Sequence, residues 1–169
     1  MIKVFIVDDH EIIRHGLKMI LLNEPDILVV GEEENGTEVL RRIADVECDI
    51  MLLDLNIPGR NGTELIEELK KRKPQMHILV LSINPENKSA LPTLNAGAAG
   101  YLSKDVALTE MVIAIRKIHS KGRYLSATLS ELLAFDLLQK ESLSKRKLRL
   151  TRSVSFAKCS GTSVGCFKY

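Results

Sequence analysis

The fold is indicated first by the stretch Val4-Phe5-Ile6-Val7-Asp8-Asp9, in which a short apolar run ends in two carboxylates. Four consecutive apolar residues rich in valine and isoleucine are typical of a strand buried on both faces, as in a parallel sheet. Similar runs follow at residues 27–30, 50–53, 78–81 and, more weakly, 99–102. The sequence therefore predicts five strands.

Helical patterns separate these runs, with apolar residues recurring as on one face of a helix. In the third pattern, Leu65, Ile66 and Leu69 are predicted to face inward, while the charged residues around them face solvent. Strands alternating with helices favour an α/β fold, a doubly wound parallel sheet with right-handed crossovers. The predicted helices cover residues 11–23, 36–46, 62–73, 86–96 and 107–120.

The composition disfavours several other classes of protein. The chain has 169 residues, of which 45% are hydrophobic and 27% charged, as in a globular protein of one domain. No apolar run is long enough to cross a bilayer, and no signal-peptide pattern opens the chain. The three cysteines, Cys48, Cys159 and Cys166, fit no disulfide framework and no zinc spacing. The four histidines show no ligand spacing and are predicted to be ordinary surface or core residues: His10, His15, His77 and His119.

The formal net charge of +2 conceals an uneven distribution. Residues 1–139 carry 16 basic and 21 acidic side chains, whereas residues 140–169 carry 8 basic side chains and one acidic side chain. The net charges of these two parts are thus −5 and +7. Such asymmetry can indicate a contact with nucleic acid or a membrane, and a solvated, disordered basic end is the alternative.

Polar side chains follow the predicted strands at one edge of the sheet. Asp8 and Asp9 follow the first strand, Asp54 the third, Ser82 the fourth and Lys104 the fifth. Ligands bind at the carboxyl ends of parallel strands. Three neighbouring carboxylates repel one another unless a cation joins them, and their hard oxygens suit Mg²⁺. A carboxylate beside Mg²⁺, a lysine and a hydroxyl is what phosphoryl transfer to an aspartate requires.

Each of these residues also has a purely structural interpretation. Asp8 and Asp9 could cap the helix that follows them, Ser82 could be a turn residue, and Lys104 could be a solvated amine. Asp54 is harder to explain in this way, because an unpaired carboxylate after four apolar strand residues is unfavourable. The convergence of all five residues at one edge favours a site.

These residues resemble the receiver domain of bacterial two-component response regulators, in particular the NarL/FixJ group with its LuxR-type helix-turn-helix output domain. The resemblance rests on residues 2–14, Asp54-Leu55-Asn56-Ile57-Pro58-Gly59 with Gly62, residues 96–105 and the connector-like Tyr124-Leu125-Ser126. It covers residues 1 to about 126. It implies a flavodoxin-like (CheY-like), five-stranded sheet of order 2-1-3-4-5 and a bacterial, cytoplasmic protein.

The resemblance also implies a role for the acidic residues. Asp54 would accept a phosphoryl group from the phosphohistidine of a cognate sensor histidine kinase. Mg²⁺ would be held by Asp8, Asp9, Asp54 and the backbone carbonyl of Asn56, with Asp9 as a direct ligand and Asp8 acting through water. The chain would then be no enzyme, apart from Mg²⁺-dependent self-phosphorylation and autodephosphorylation.

A switch follows from the same resemblance. Ser82 and Lys104 would bind the phosphoryl oxygens, and Tyr101 would swing inward, because phosphorylation adds about two negative charges and new acceptor oxygens. A packed ring with its hydroxyl in water is the structural alternative for Tyr101. Pro92 departs from the continuous fourth helix of the family and should shorten or kink that helix.

The resemblance stops inside the C-terminal segment. The predicted division is a receiver domain at residues 1–125, a linker helix at 126–141 and a basic tail at 142–169. Leu143-Ser144-Lys145-Arg146 matches the opening of a helix-turn-helix domain, but no helical periodicity follows it. We therefore expect a disordered remnant of an output domain, and our hypothesis is that the reading frame changes just after Arg146.

Two other classes of function compete with this interpretation. A transcription regulator could bind DNA through its basic C-terminal segment. An enzyme of the flavodoxin-like nucleotide-binding or aspartate-based phosphohydrolase type is disfavoured, because no glycine-rich loop follows the first strand and Leu55-Asn56 lacks a second aspartate. The predicted partners are a sensor histidine kinase and a second copy of the chain, docked through the first and fifth helices or the linker helix; DNA is expected for the family, and no membrane is expected.

Overall fold

The computed structural model describes residues 1–84, 86–136 and 138, except for the side chains of residues 86–88 and 107–109. Strands and helices alternate along the chain up to residue 121. In order, they are β1 (Ile2–Val7), α1 (Glu11–Leu22), β2 (Ile27–Glu33), α2 (Gly36–Arg42), β3 (Ile50–Asp54), α3 (Gly62–Arg72), β4 (His77–Ser82), α4 (Glu86–Asn95), β5 (Gly100–Ser103) and α5 (Lys104–Lys121).

The five strands form one parallel sheet in the order β2-β1-β3-β4-β5. The predicted fold class and strand order are confirmed. The chain turns from β1 outward to β2 and then crosses back to β3, so the strand order reverses between β1 and β3. Ligands of open parallel sheets bind in the crevice beyond the carboxyl ends of the strands at such a reversal.

The central strands are buried on both faces, as their continuous apolar runs predict. Val4 and Ile6 belong to a buried cluster with Leu17 of α1 and Ile115 of α5. Successive side chains of a strand point to opposite faces, so Phe5 lies on the other face. At roughly 25 cal/mol per Å² of apolar surface, this two-sided burial is the main stabilising contribution to the sheet.

Strand β2 is longer than predicted, because it continues through Gly31 to Glu33. The register of β1 and β2 shifts between Val4 and Phe5, which places Phe5 opposite Gly31. A Cβ atom at position 31 would lie 2.5 Å from Cε2 of the Phe5 ring. Glycine is therefore required where this ring meets the neighbouring backbone.

Helix α4 continues through Pro92 to Asn95, so the proline does not end the helix, and the predicted kink stays a prediction. Pro92 has no N–H for the helical ladder. Beside it, the buried Thr93 hydroxyl donates to the carbonyl oxygen of Ala90 at 2.8 Å. Threonine side-chain bonds of this kind often bend a helix.

Met1–Ser130 forms one compact unit, and a second unit, Glu131–Tyr169, is described only at residues 131–136 and 138. Residues 127–136 are helical, within the predicted linker helix of 126–141, and Leu129 is fully buried. The predicted basic tail at 142–169 lies outside the described residues. Among the helices that are described, none combines the length and apolar character needed to cross a membrane.

Candidate functional site

Asp8 follows β1 and is held by hydrogen bonds to both its backbone and its side chain. Its backbone N–H donates to the carbonyl oxygen of Glu33 at 3.1 Å, which continues the pairing with β2. Its carboxylate oxygen Oδ1 accepts the backbone N–H of His10 at 2.9 Å. Arg14 of α1 donates from Nη1 to the Asp8 carbonyl oxygen at 2.6 Å. The Asp8 side chain is buried and its position is fixed, whereas Asp9 is partly exposed.

Asp54 is the last residue of β3 and is also buried. Its Oδ1 accepts the backbone N–H of Asn56 at 3.1 Å, so the turn after the strand holds the carboxylate. Asn56, whose backbone carbonyl is a predicted metal ligand, therefore lies beside Asp54. Because β1 and β3 pair directly, the residues that end these strands are neighbours at one edge of the sheet.

Lys104, at the start of α5, joins the two buried carboxylates. Its Nζ lies 2.6 Å from Oδ2 of Asp8 and 2.7 Å from Oδ2 of Asp54. Burial lowers the pKa of Lys104, but the hydrogen bonds and charges of Asp54 and Asp8 outweigh it, and the net direction is upward. Lys104 is therefore a cation at neutral pH.

Four side chains could share a metal ion at this edge. Asp8, Asp9, His10 and Asp54 each offer one ligand atom, and these four atoms all lie within 4.8 Å of one another. Three carboxylates and one ammonium group leave the pocket with an excess of negative charge, which a divalent cation would offset. Carboxylate oxygens at this spacing suit the octahedral oxygen coordination of Mg²⁺. The residues present thus fit the predicted cation.

Ser82 and Tyr101 are connected through the loop after β4. The Ser82 hydroxyl oxygen accepts the backbone N–H of Asn84 at 3.1 Å, and the Tyr101 hydroxyl donates to the carbonyl oxygen of Asn84 at 2.7 Å. Tyr101 is fully buried. The ring therefore lies inward in this structure, and its predicted movement on phosphorylation stays a prediction.

The sequence interpretation missed two residues of the site. His10 is on the surface, as predicted, but its ring Nδ1 lies 2.8 Å from Oδ1 of Asp9 and 3.2 Å from Oδ1 of Asp8. Its position directly after the acid pair was the available signal. Arg14 lies in the first turn of α1, and its guanidinium donates a hydrogen bond to the backbone carbonyl of Asp8 at the end of β1. The position of this helical turn is what brings the two residues together.

Comparisons with known proteins agree on one family. The family model described as response regulator receiver domain matches residues 4–116. The response regulator UvrY of Escherichia coli (strain K12) is 34% identical over 157 residues, which cover 89% of this chain and 72% of the relative.

Two solved structures are similar as well. A two-component response regulator of the LuxR family from Aurantimonas sp. SI85-9A1 is 29% identical, with a TM-score of 0.72 over 80% of this chain and 97% of that chain. The isolated REC domain of RcsB from Salmonella enterica serovar Typhimurium, solved with phosphomimetic BeF₃⁻, is 26% identical, with a TM-score of 0.71 over 78% and 97% of the two chains.

Fold and pocket together define a doubly wound α/β protein with a buried lysine between two strand-end carboxylates. The chain belongs to the response regulator receiver family of two-component systems. The family predicted from the sequence motifs is thereby confirmed.

Proposed function

We propose that this chain is a phosphoacceptor: Asp54 receives a phosphoryl group from the phosphohistidine of a sensor histidine kinase. In this reaction a carboxylate oxygen of Asp54 attacks the phosphorus atom in line. The bond from phosphorus to the imidazole nitrogen breaks, and the nitrogen keeps the electron pair. The product is an acyl phosphate on Asp54, which water later hydrolyses, so the chain acts as a transient carrier and not as an enzyme on other substrates.

The observation that carries this proposal is the position of Lys104. Its ammonium group touches the oxygens of both Asp8 and Asp54, and its side chain is only 11% exposed. A buried cation at this distance can pair with negative charge that develops on the transferring group, where little water screens it. A lysine that only contributed to solubility would extend into water.

The metal-binding residues of the proposal are Asp8, Asp9, Asp54 and the backbone carbonyl of Asn56. A bound Mg²⁺ would offset the charge on the phosphoryl oxygens. Asp8 is fixed by the backbone of His10 and the guanidinium of Arg14, so its carboxylate is oriented before any ligand arrives. Asp9 is partly exposed and can reach a cation from the solvent side.

Ser82 and Tyr101 form the switch of the proposal. The Ser82 hydroxyl accepts the Asn84 N–H and still has its own hydrogen to donate to a phosphoryl oxygen. Such a bond would shift the loop that also holds the Tyr101 hydroxyl. Because the ring is already buried, phosphorylation would fix the inward arrangement and would not have to create it.

Intact mass spectrometry tests the proposal. With Mg²⁺ and acetyl phosphate as a small phosphodonor, the mass of the protein should rise by one phosphoryl group and fall again as the acyl phosphate hydrolyses. Asp54→Asn should abolish the gain. Asp49→Asn is the matched control, because Asp49 precedes the same strand at its other end, and this variant should be phosphorylated normally. An unchanged parent mass, or a gain that survives Asp54→Asn, would refute the site.

DNA binding and self-association stay predictions. The basic residues 140–169 that prompted the DNA-binding alternative lie outside the described residues. A gel shift with promoter and random DNA at two salt concentrations would detect any binding by this segment. Sedimentation before and after phosphorylation would test the predicted homodimer.

A further inference from the structure

We propose that His10 is a nitrogen ligand of Mn²⁺ in the acidic pocket, so that this ion binds there with mixed oxygen and nitrogen coordination. This inference rests on the proposed function, since it assigns a further residue to the same metal site. It distinguishes His10 from the histidines His15 and His119, which are also exposed.

The position of the imidazole carries the inference. His10 Nδ1 lies 2.8 Å from Oδ1 of Asp9 and 3.2 Å from Oδ1 of Asp8. An octahedral ion with bonds of about 2.1 Å separates neighbouring ligand atoms by about 3.0 Å and opposite ones by about 4.2 Å. The limit of 4.8 Å among the ligand atoms of Asp8, Asp9, His10 and Asp54 admits one such ion.

The Asp8 carboxylate divides the pocket into two sides. Its Oδ2 contacts Lys104, whereas its Oδ1 faces the backbone N–H and the ring of His10. A divalent cation is repelled by the ammonium group of Lys104, so the side of Oδ1 is the favourable one. His10 is on that side.

The His10 side chain contacts the carboxylates of Asp8 and Asp9 and does not cap α1. It is 62% exposed. It stands at the N-cap of α1 but makes no side-chain capping bond there, while its backbone supplies the N–H to Asp8 and the carbonyl to Arg14. Removing the imidazole therefore leaves the backbone contacts of this turn in place.

The identity of the metal follows from ligand chemistry. Imidazole suits transition metals, whereas Mg²⁺ prefers oxygen ligands and retains several waters. We therefore expect His10→Ala to weaken Mn²⁺ binding by roughly tenfold or more. Mg²⁺ binding should change by less than about twofold, because the carboxylates supply its ligands.

Pulsed EPR on bound Mn²⁺ tests the assignment, using the full chain without a histidine tag. The wild type should show electron spin-echo modulation from a directly bound nitrogen, and labelling histidine with ¹⁵N should shift that modulation. His10→Ala should lose it, and His15→Ala, an exposed histidine on the same helix, should keep it.

Two results would overturn the inference: Mn²⁺ bound without histidine nitrogen modulation, or modulation that survives His10→Ala. In either case His10 would be only an ion-pair partner of the two carboxylates. Failure of the proposed function is distinguishable, because it would appear as an unchanged protein mass after incubation with Mg²⁺ and acetyl phosphate, whichever residues bind Mn²⁺.

Discussion

Lysine–carboxylate pairs lie both at the carboxyl ends of the strands, called the carboxyl edge, and at their amino ends, called the opposite edge. Only the carboxyl edge forms a candidate site. At the carboxyl edge, Lys104 lies between two buried aspartates. At the opposite edge, Lys3 pairs with Glu47, whose side chain is 86% exposed. Water and salt screen an exposed pair, whereas a buried pair keeps most of its interaction energy and also its desolvation cost.

The comparison shows that buried carboxylates in excess over cations identify a metal site better than the size of a cavity does. The opposite edge has a cavity of about 340 Å³, lined in part by Lys3, Glu47, Asp49 and Lys73. Two cations there face two carboxylates. At the carboxyl edge, three carboxylates face one lysine, and only that excess of charge calls for an additional cation.

Replacing an aspartate at each edge tests the metal site. Asp9→Asn removes the charge of a proposed metal ligand at the carboxyl edge, and we expect Mg²⁺ affinity to fall about tenfold or more. Asp49→Asn, at the opposite edge, should leave it unchanged. Isothermal titration calorimetry measures both, and equal affinity losses in the two variants would contradict a metal site at the carboxyl edge.

Replacing a lysine at each edge tests the role of burial. In Mg²⁺-free buffer at neutral pH, Lys104→Gln should lower the free energy of unfolding by about 3 kcal/mol, because it leaves two buried carboxylates facing each other. Lys3→Gln should leave it nearly unchanged. Urea unfolding measures both.

The pH dependence of the Lys104 contribution has a definite sign. The pKa of Lys104 is raised in the folded protein, despite burial, by its bonds to Asp54 and Asp8. Its stabilising contribution is therefore complete below the ordinary lysine pKa and is lost as the pH rises through the higher folded value. A difference between parent and Lys104→Gln that grew with rising pH would contradict the ion pair.

A neutral hydrogen bond at the carboxyl edge should matter less than the charge there. Tyr101→Phe removes the donor to the Asn84 carbonyl, and we expect a loss of about 1 kcal/mol in the free energy of unfolding. The ring itself stays buried. A loss as large as that of Lys104→Gln would mean that the hydroxyl stabilises this edge as much as the ion pair does, which would contradict the expected order.

The last prediction concerns the reactivity of the Cys48 thiol, which lines the cavity at the opposite edge. Burial raises the pKa of its thiol to about 12. The protonated thiol is thus favoured by folding, and its contribution to stability is present below the ordinary pKa of 9.0 and lost as the pH rises toward about 12. Near neutral pH, alkylation in a Cys159→Ser, Cys166→Ser background should be slow in folded protein and faster in urea.

Most of the fold could be predicted from the sequence, because the central strands are buried on both faces and so read as uninterrupted apolar runs. Strand β2 was predicted too short, since it is half-exposed and ends in Gly31-Glu32-Glu33, which looks like a loop. Helix α5 begins at Lys104 and not at residue 107, because the Ser103 side chain accepts the Asp105 N–H and caps it.

The candidate site was predictable where a residue directly follows a strand. Asp8, Asp54 and Lys104 meet as the topology requires. The contributions of His10 and Arg14 depend on how the first turn of α1 bends back over the end of β1, and no spacing rule encodes that bend.

The contacts of Asn84 have a consequence for the tolerance of this position to mutation. Both of its contacts to Ser82 and Tyr101 use main-chain atoms. Any residue other than proline offers the same N–H and carbonyl. The half-buried side chain at position 84 is therefore free to vary, while the internal connection between β4 and β5 is retained.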